Sequence, residues 1–452
     1  MSNRHGLDLT RGNPLPLLVR FAIPLVLGTI FQQLYTFADT AIVGRCISAD
    51  ALTAVGVTGS LTFMLLGFTT GSAIGFCIPI AQSVGAEEPE ETNRFFWNGL
   101  YLCLFIGLSV GLGARLFVRP LLVAMRTPEN LLDMSADYLS VILLGLTATV
   151  LYNYLGSVLR AFGDARRPFL FLVFTSILNV LLDFFFILVV PLGVAGVALA
   201  TVVSQTVSVL LCWVWLAKKG TVLKAEKRFM AFSRSHVKTL CRIGVPLGLE
   251  HAVCSIGNVV LQSSINTLGS VAATAQICGE RIRGIITTPM ESMGMAMATY
   301  AGQNYGARRM DRIRSGIRAG ITVQAIYCAV SWVILLVLKR PLVALLLGDL
   351  STPEAAASVR YLTVISVLFL IHGSLMIFRN TLQGMGFGIS ALASGSMEVI
   401  GRSLAGVLAV HFGSFFLVCI SAPMAWSLGL LCCIFLCARY IPRETRKFAS
   451  MK

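Results

Sequence analysis

Apolar stretches long enough to cross a bilayer recur along this chain, and that pattern limits its fold more than any other feature. Twelve can be read, at residues 15–44, 52–79, 94–118, 138–160, 168–190, 194–217, 240–268, 272–301, 315–338, 358–383, 388–411 and 415–438. A spanning helix needs about 20 mostly apolar residues. In lipid each segment must satisfy its own backbone, so each run is expected to be a helix. The charge content agrees, at 13% of residues against about 25% in soluble proteins. An all-α polytopic membrane protein follows. The polar opening "MSNRHGLDLTRGNPLPLLVR" does not read as a cleaved signal.

The net charge of +15 could suggest a nucleic-acid partner, but the basic residues flank apolar spans, so none is expected. Residues 218–238 hold seven Lys and Arg, residues 306–318 hold five, "RETRK" follows the last span, and Arg166 and Arg167 lie in the fourth loop. The opposite loops are read as holding Arg45, Arg119, Arg126, Lys339 and Arg340. The positive-inside rule then places both termini in the cytoplasm and the protein in the plasma membrane. Twelve cysteines are scattered without ligand spacing, which predicts neither a disulfide framework nor a Cys/His metal site.

The basic stretch 218–239 divides the chain into halves, 1–217 and 240–452, of six spans each. The halves echo one another in order: "RFAIP" and "RIGVP", "ALTAVG" and "AATAQI", "AQSVGA" and "GQNYGA", "LRAFGD" and "LQGMGF". Parallel repeats of this kind are a transporter architecture, with a site near mid-membrane. Two six-helix lobes related by a pseudo-two-fold axis are expected.

Ionisable side chains inside spans are costly and mark function or buried pairing. Asp39 lies on helix 1, Asn179 and Asp183 share one face of helix 5, and Thr201 lies on helix 6. Counting from the turn at 191–193, Asp183 and Thr201 both fall roughly 13 Å below the outer end, and Asp39 roughly 10 Å below its own. Two carboxylates, an amide and a hydroxyl at one level make an oxygen-rich pocket for Na⁺ or a proton. The plainer alternative is helix packing, above all for Thr201, which can bond its own backbone.

The second half does not repeat these acids. It offers Glu398 and Arg402 four residues apart, a pair that can neutralise itself or meet a substrate. On helix 8, Glu280, Thr287 and Glu291 form a stripe beside Arg283, and Met290, Met293, Met295 and Met297 follow. This helix either packs internally or lines an adaptable cavity. Gln32, Tyr35, Gln205, Gln262, Glu280, Arg283, Met290, Met293, Glu398 and Arg402 are the cavity candidates. Glu250, His251, His372 and Arg379 are weaker ones. No phosphate loop, GxSxG or HExxH occurs, so no enzyme is predicted, and ATP-driven transport would need another chain.

The motifs "ADTAIVGR", "LRAFGDARRP", "LNVLLDFFFI", "GVAGVALATVVSQ" and "GQNYGA" resemble the multidrug and toxic compound extrusion (MATE) family along nearly the whole chain. The likeness is nearest to the DinF-like bacterial branch. It implies a twelve-helix, two-lobe carrier that exports organic cations or other amphipathic compounds in exchange for Na⁺ or H⁺. It also implies small-molecule partners in a lipid setting, a monomer, and no cofactor besides the coupling ion. The family's cation-site positions fall on Asp39, Asn179, Asp183 and Thr201, with Asn153 on helix 4 attached to this network in some members. Glu250 does not fall cleanly on the second-lobe motif of the NorM-type branch. A lipid-linked precursor flippase and an exporter of anionic metabolites are the alternatives.

Overall fold

The computed structural model describes residues 6–218 and 223–451; Lys219 of the basic linker lies outside them. The described residues form twelve long helical segments. In the first half these are α1 (Pro14–Cys46), α2 (Ala49–Gly85), α3 (Pro89–Leu116), α4 (Glu129–Leu144 and Leu146–Ala161, bent by 44°), α5 (Arg166–Val189) and α6 (Gly193–Leu216). In the second they are α7 (Arg234–Thr267), α8 (Ser270–Gly306), α9 (Met310–Leu347), α10 (Pro353–Val367 and Phe369–Gly384, bent by 50°), α11 (Gly388–Phe412) and α12 (Ser421–Ala449).

Local chemistry sets several boundaries. Ser48 caps α2 by accepting the Ala51 N–H at 3.0 Å, and Thr352 caps α10 through the Ala355 N–H at 3.3 Å. Pro89 and Pro353 occupy first-turn positions, where a missing N–H costs nothing. Two boundaries differ from the hydropathy reading. Lys339 and Arg340 lie inside α9, where the Lys339 ammonium reaches the Thr363 hydroxyl at 2.8 Å. The last span begins at Ser421, because Phe415–Cys419 forms a separate short helix.

The repeat is written into the backbone. The bends of α4 and α10 occupy corresponding places. Left-handed φ recurs in pairs one repeat apart: Glu87 with Arg308, Arg126 with Gly348, Gly163 with Gly386, Gly193 with Gly413. At Gly163 the requirement is doubled, since a Cβ there would lie 2.0 Å from the Leu7 carbonyl oxygen.

The chain forms two compact units. The first is Leu27–Gly248 with the residues up to Asp8, and the second is Leu249 onward with Leu9–Val26. The sequence halves follow the repeat, whereas the units exchange one segment each way. The changeovers fall within α1 and α7, close to Pro24 and Pro246. In the first unit α2, α3, α4 and α6 pack around Tyr154, whose hydroxyl donates to the Phe96 carbonyl at 2.7 Å. The linker is fastened along α3: the Trp97 indole donates to the Lys224 carbonyl at 3.1 Å, the Tyr101 hydroxyl to that of Met230 at 2.9 Å, and the Ser233 N–H to the Asn98 side-chain oxygen at 2.8 Å. In the second unit α8, α10, α11 and α12 enclose the fully buried Tyr361 and Trp426.

Large apolar side chains such as Leu116 (79% exposed) and Leu345 (80%) point outward, as a lipid-facing surface requires. On length and composition, ten of the twelve segments can cross a membrane when each bent one counts as one span. The two left over, α8 and α11, are the helices that carry Glu280, Arg283, Glu291, Glu398 and Arg402.

Candidate functional site

Helices α1, α5 and α6 bring the four oxygen-bearing residues of the first unit together. Asn179 and Asp183 are buried on the inner face of α5 at 2% and 0% exposure. The Asn179 amide is oriented by its neighbours. Its nitrogen donates to the two Asp39 carboxylate oxygens at 3.0 and 3.3 Å, and its oxygen accepts the Thr201 N–H at 3.3 Å. Asp39 also faces Asp183 closely enough for the two carboxyls to share a hydrogen bond when one is protonated. Both Asp183 oxygens are buried, and neither accepts a hydrogen bond. A buried carboxylate without a donor is costly, so the pocket calls for a proton or a hard cation. Every ligating atom it offers is oxygen, the donor set such a cation prefers.

Thr201 follows the plainer alternative, and Asn153 lies apart from the other four. The Thr201 hydroxyl donates to the Val197 carbonyl of its own helix at 3.2 Å, so its contribution to Asn179 is its backbone N–H. The Asn153 amide spends both hydrogens elsewhere, on the Thr149 carbonyl at 2.9 Å and the Thr70 hydroxyl at 3.4 Å. The Thr149 hydroxyl in turn donates to Gln205. Asn153 and Gln205 therefore form a separate polar layer with Thr70 and Thr149. Tyr35, one turn before Asp39, has Gln32 and Thr36 as side-chain partners. Tyr138 on α4 stands within electrostatic reach of Asp39 and Asp183, and the depth count missed it. Immediately after Asp183 the helix widens into a π-turn, Phe185–Val189, a feature frequent at functional sites with no signature in the composition.

In the second unit the acids are matched by bases. The Arg379 guanidinium lies 2.8 Å from Glu250 and 2.8 Å from Glu398. Arg402 reaches the other oxygen of Glu398 at 3.4 Å and the Asn258 side chain at 2.7 Å. Glu250 also accepts from Gln383 at 3.3 Å. The Glu398–Arg402 pair is thus one end of a four-member chain, and Arg379 is its hub. A second knot joins Glu280 to Arg283, at 2.9 Å through Nε, and to the Tyr361 hydroxyl. His372 is buried against the Trp426 ring, with Glu291 at 3.9 Å. Neither of its ring nitrogens makes a hydrogen bond.

Three of the four α8 methionines are buried against neighbouring helices, and Met295 is half-buried. Met290, Met293 and Met297 are 0%, 3% and 0% exposed and pack in the helix interior, because Pro289 and the residues after it face α10 and α9 rather than open space. The Met290 carbonyl accepts the Gln324 amide at 3.0 Å. Gln262 bonds Asn266 on its own helix at 2.9 Å and borders a cavity with Glu280, Arg283 and Arg402.

Twelve segments, a doubled backbone and acids inside spans are the architecture of a membrane carrier. The MatE family model matches residues 24–185 and again 246–395, once in each half and over more than half of the chain. The chain belongs to the MatE family. It is a multi-pass membrane transporter of the multidrug efflux class and not an enzyme. Probable multidrug resistance protein YpnP of Bacillus subtilis (strain 168) is 30% identical over 308 residues, 68% of each chain. Probable multidrug resistance protein YoeA of the same organism is 28% identical over 373 residues, 81% of this chain and 80% of that protein. A solved multidrug resistance MATE family transporter of the MOP superfamily, described in an outward-facing conformation, has the same fold. Its TM-score is 0.91 at 24% identity, over 97% of this chain and 98% of that one.

Proposed function

We propose that this transporter is a secondary antiporter that exports cationic or amphipathic organic compounds in exchange for Na⁺ or H⁺. Both termini would lie in the cytoplasm. The carrying observation is Asp183, whose two buried oxygens accept no hydrogen bond while the Asp39 carboxylate stands opposite. Such a pair changes its energetics sharply when a cation arrives. Coupling then follows if the ion and the substrate bias the same conformational equilibrium in opposite directions. Asp39 and Asp183 exchange the charge, Asn179 holds Asp39 in place, and the Thr201 N–H holds Asn179.

The flippase alternative needs free cationic groups for a diphosphate. Arg283, Arg379 and Arg402 each hold a glutamate, which weighs against it.

The test is efflux from proteoliposomes under separately imposed Na⁺ and pH gradients. Asp39→Asn and Asp183→Asn should each abolish the gradient-driven component while the protein stays folded. If both variants retain full ion-driven efflux, the assignment is wrong.

A further inference from the structure

The last helix outlasts its counterpart in the first unit. α6 ends at Leu216, whereas α12 runs from Ser421 to Ala449. Counted from the paired glycines Gly193 and Gly413, α12 continues for roughly three and a half turns more. The repeat does not account for this excess.

The extension has two unlike faces. Cys433, Cys437, Ile441 and Glu444 form a buried stripe. On the opposite face Leu431 and Phe435 are each 63% exposed, as side chains against lipid should be. The same helical spacing then brings Arg439, Arg443 and Arg446, all exposed. Residues 421–438 rise roughly 27 Å, close to the thickness of the hydrocarbon core. Arg439 therefore stands where the lipid tails end. Arg443 follows roughly 6 Å further on, within the headgroup layer, and the long side chain of Arg446 can reach back to it.

The inner face braces this stretch on its own unit. The Tyr305 hydroxyl donates to Glu444 at 2.9 Å, and Arg314 donates to the Thr445 hydroxyl at 3.2 Å. The Tyr305 and Phe448 rings lie 5.3 Å apart, and Tyr440 stacks on Phe387 at 4.2 Å. The one acid of the extension, Glu444, is turned inward, with Lys447 at 3.8 Å. Among the described residues, none of Arg439, Arg443 and Arg446 makes an ion pair or a side-chain hydrogen bond. A topology signal depends on how many basic residues flank a span. It requires neither a braced helix nor arginines in line with the lipid-facing stripe.

We propose that this face of α12 binds the headgroups of anionic phospholipids. The forked N–H donors of arginine match phosphate oxygens, and Leu431 and Phe435 lie along the acyl chains of the same lipid. A free phosphate would leave that apolar continuation unused. The proposal goes beyond the export reading and does not depend on it.

Native mass spectrometry of the purified full-length protein tests this by titration with phosphatidylglycerol and phosphatidylcholine of identical chains. Phosphatidylglycerol should bind at least about fivefold tighter, and the preference should weaken as salt rises. In R439Q/R443Q/R446Q it should fall to about twofold or less, with phosphatidylcholine binding unchanged. The variant K227Q/R234Q/K238Q removes the same charge from the linker and the start of α7, and should keep the preference. Equal binding of the two lipids, a preference that survives the α12 variant, or an equal loss in both variants overturns the proposal. Inorganic phosphate at the lipid concentration should leave the lipid adducts unchanged. If it displaces them, the face is a site for free anions and not for lipid.

Discussion

In the first unit Asp183 buries both carboxylate oxygens without a donor, and the acid facing it is another acid. In the second unit Glu250 and Glu398 are buried nearly as deeply, at 6% and 4% exposure, yet Arg379 stands 2.8 Å from each. The two units descend from one repeat and fold alike, but they solve the problem of a charge in lipid in opposite ways. The second carries its counter-charge covalently, so its network is complete at all times. The first contains no such counter-charge among its described partners. On the proposed coupling, the first unit is the one that would respond to a gradient, because there the compensating charge would enter and leave.

The comparison can be broken on a single scale of unfolding free energy, measured in detergent. The largest effect belongs to Arg379→Met. Removing the hub leaves Glu250 without a cation and Glu398 with only its 3.4 Å contact to Arg402, which should cost about 3–5 kcal/mol. Replacing Arg379, Glu250 and Glu398 together by Met, Gln and Gln should cost much less. If the single change proves as mild as the triple one, Arg379 is not the hub.

Asp183→Asn should have the opposite sign. It removes an orphaned buried charge and supplies an amide that can donate to Asp39, so stability should rise by about 1 kcal/mol. A loss of that size would mean that Asp183 is satisfied in a way the geometry does not contain.

Next in size is a ligand effect. Adding Na⁺, or lowering the pH, should raise the Tm of the unaltered protein by mass action, and should leave the Asp39→Asn/Asp183→Asn double variant unmoved. An equal shift in both would place the responsive group elsewhere. The smallest effect is expected for Thr201→Val. Its hydroxyl bonds its own helix and its contribution is a backbone N–H, so stability should stay within about 0.5 kcal/mol and efflux within about threefold. A large loss would assign the hydroxyl itself to the ion.

How much of this was legible beforehand varies by residue. Asp39, Asn179, Asp183 and Thr201 could be brought to one level because helical rise is constant, and depth along a rigid rod can be counted from a turn. Asn153 came from the family resemblance alone, and it bonds Thr70 and Thr149. Tyr138 was invisible because which face of α4 turns toward α1 and α5 depends on packing. The α8 methionines illustrate the converse. Their composition suits an adaptable cavity, and what it could not say is that Met290, Met293 and Met297 are buried among neighbouring helices. Arg379 could be listed as an intramembrane base, but nothing in its own helix named two partners on α7 and α11.

By itself, then, the sequence determined the twelve segments, the internal repeat, the family, and the presence of acids on α1 and α5 without nearby bases. Those properties depend on composition, spacing and period, which are local to the chain. Only the tertiary structure decided which charges meet. It exchanged a segment between the units at α1 and α7, made Arg379 the bridge between Glu250 and Glu398, and left Asp183 beside Asp39 with no donor. Pairing across helices depends on how each helix is rotated and where its neighbours stand. A carboxylate is structural or exchangeable according to what lies a few ångströms from it, and that distance is not written along the chain.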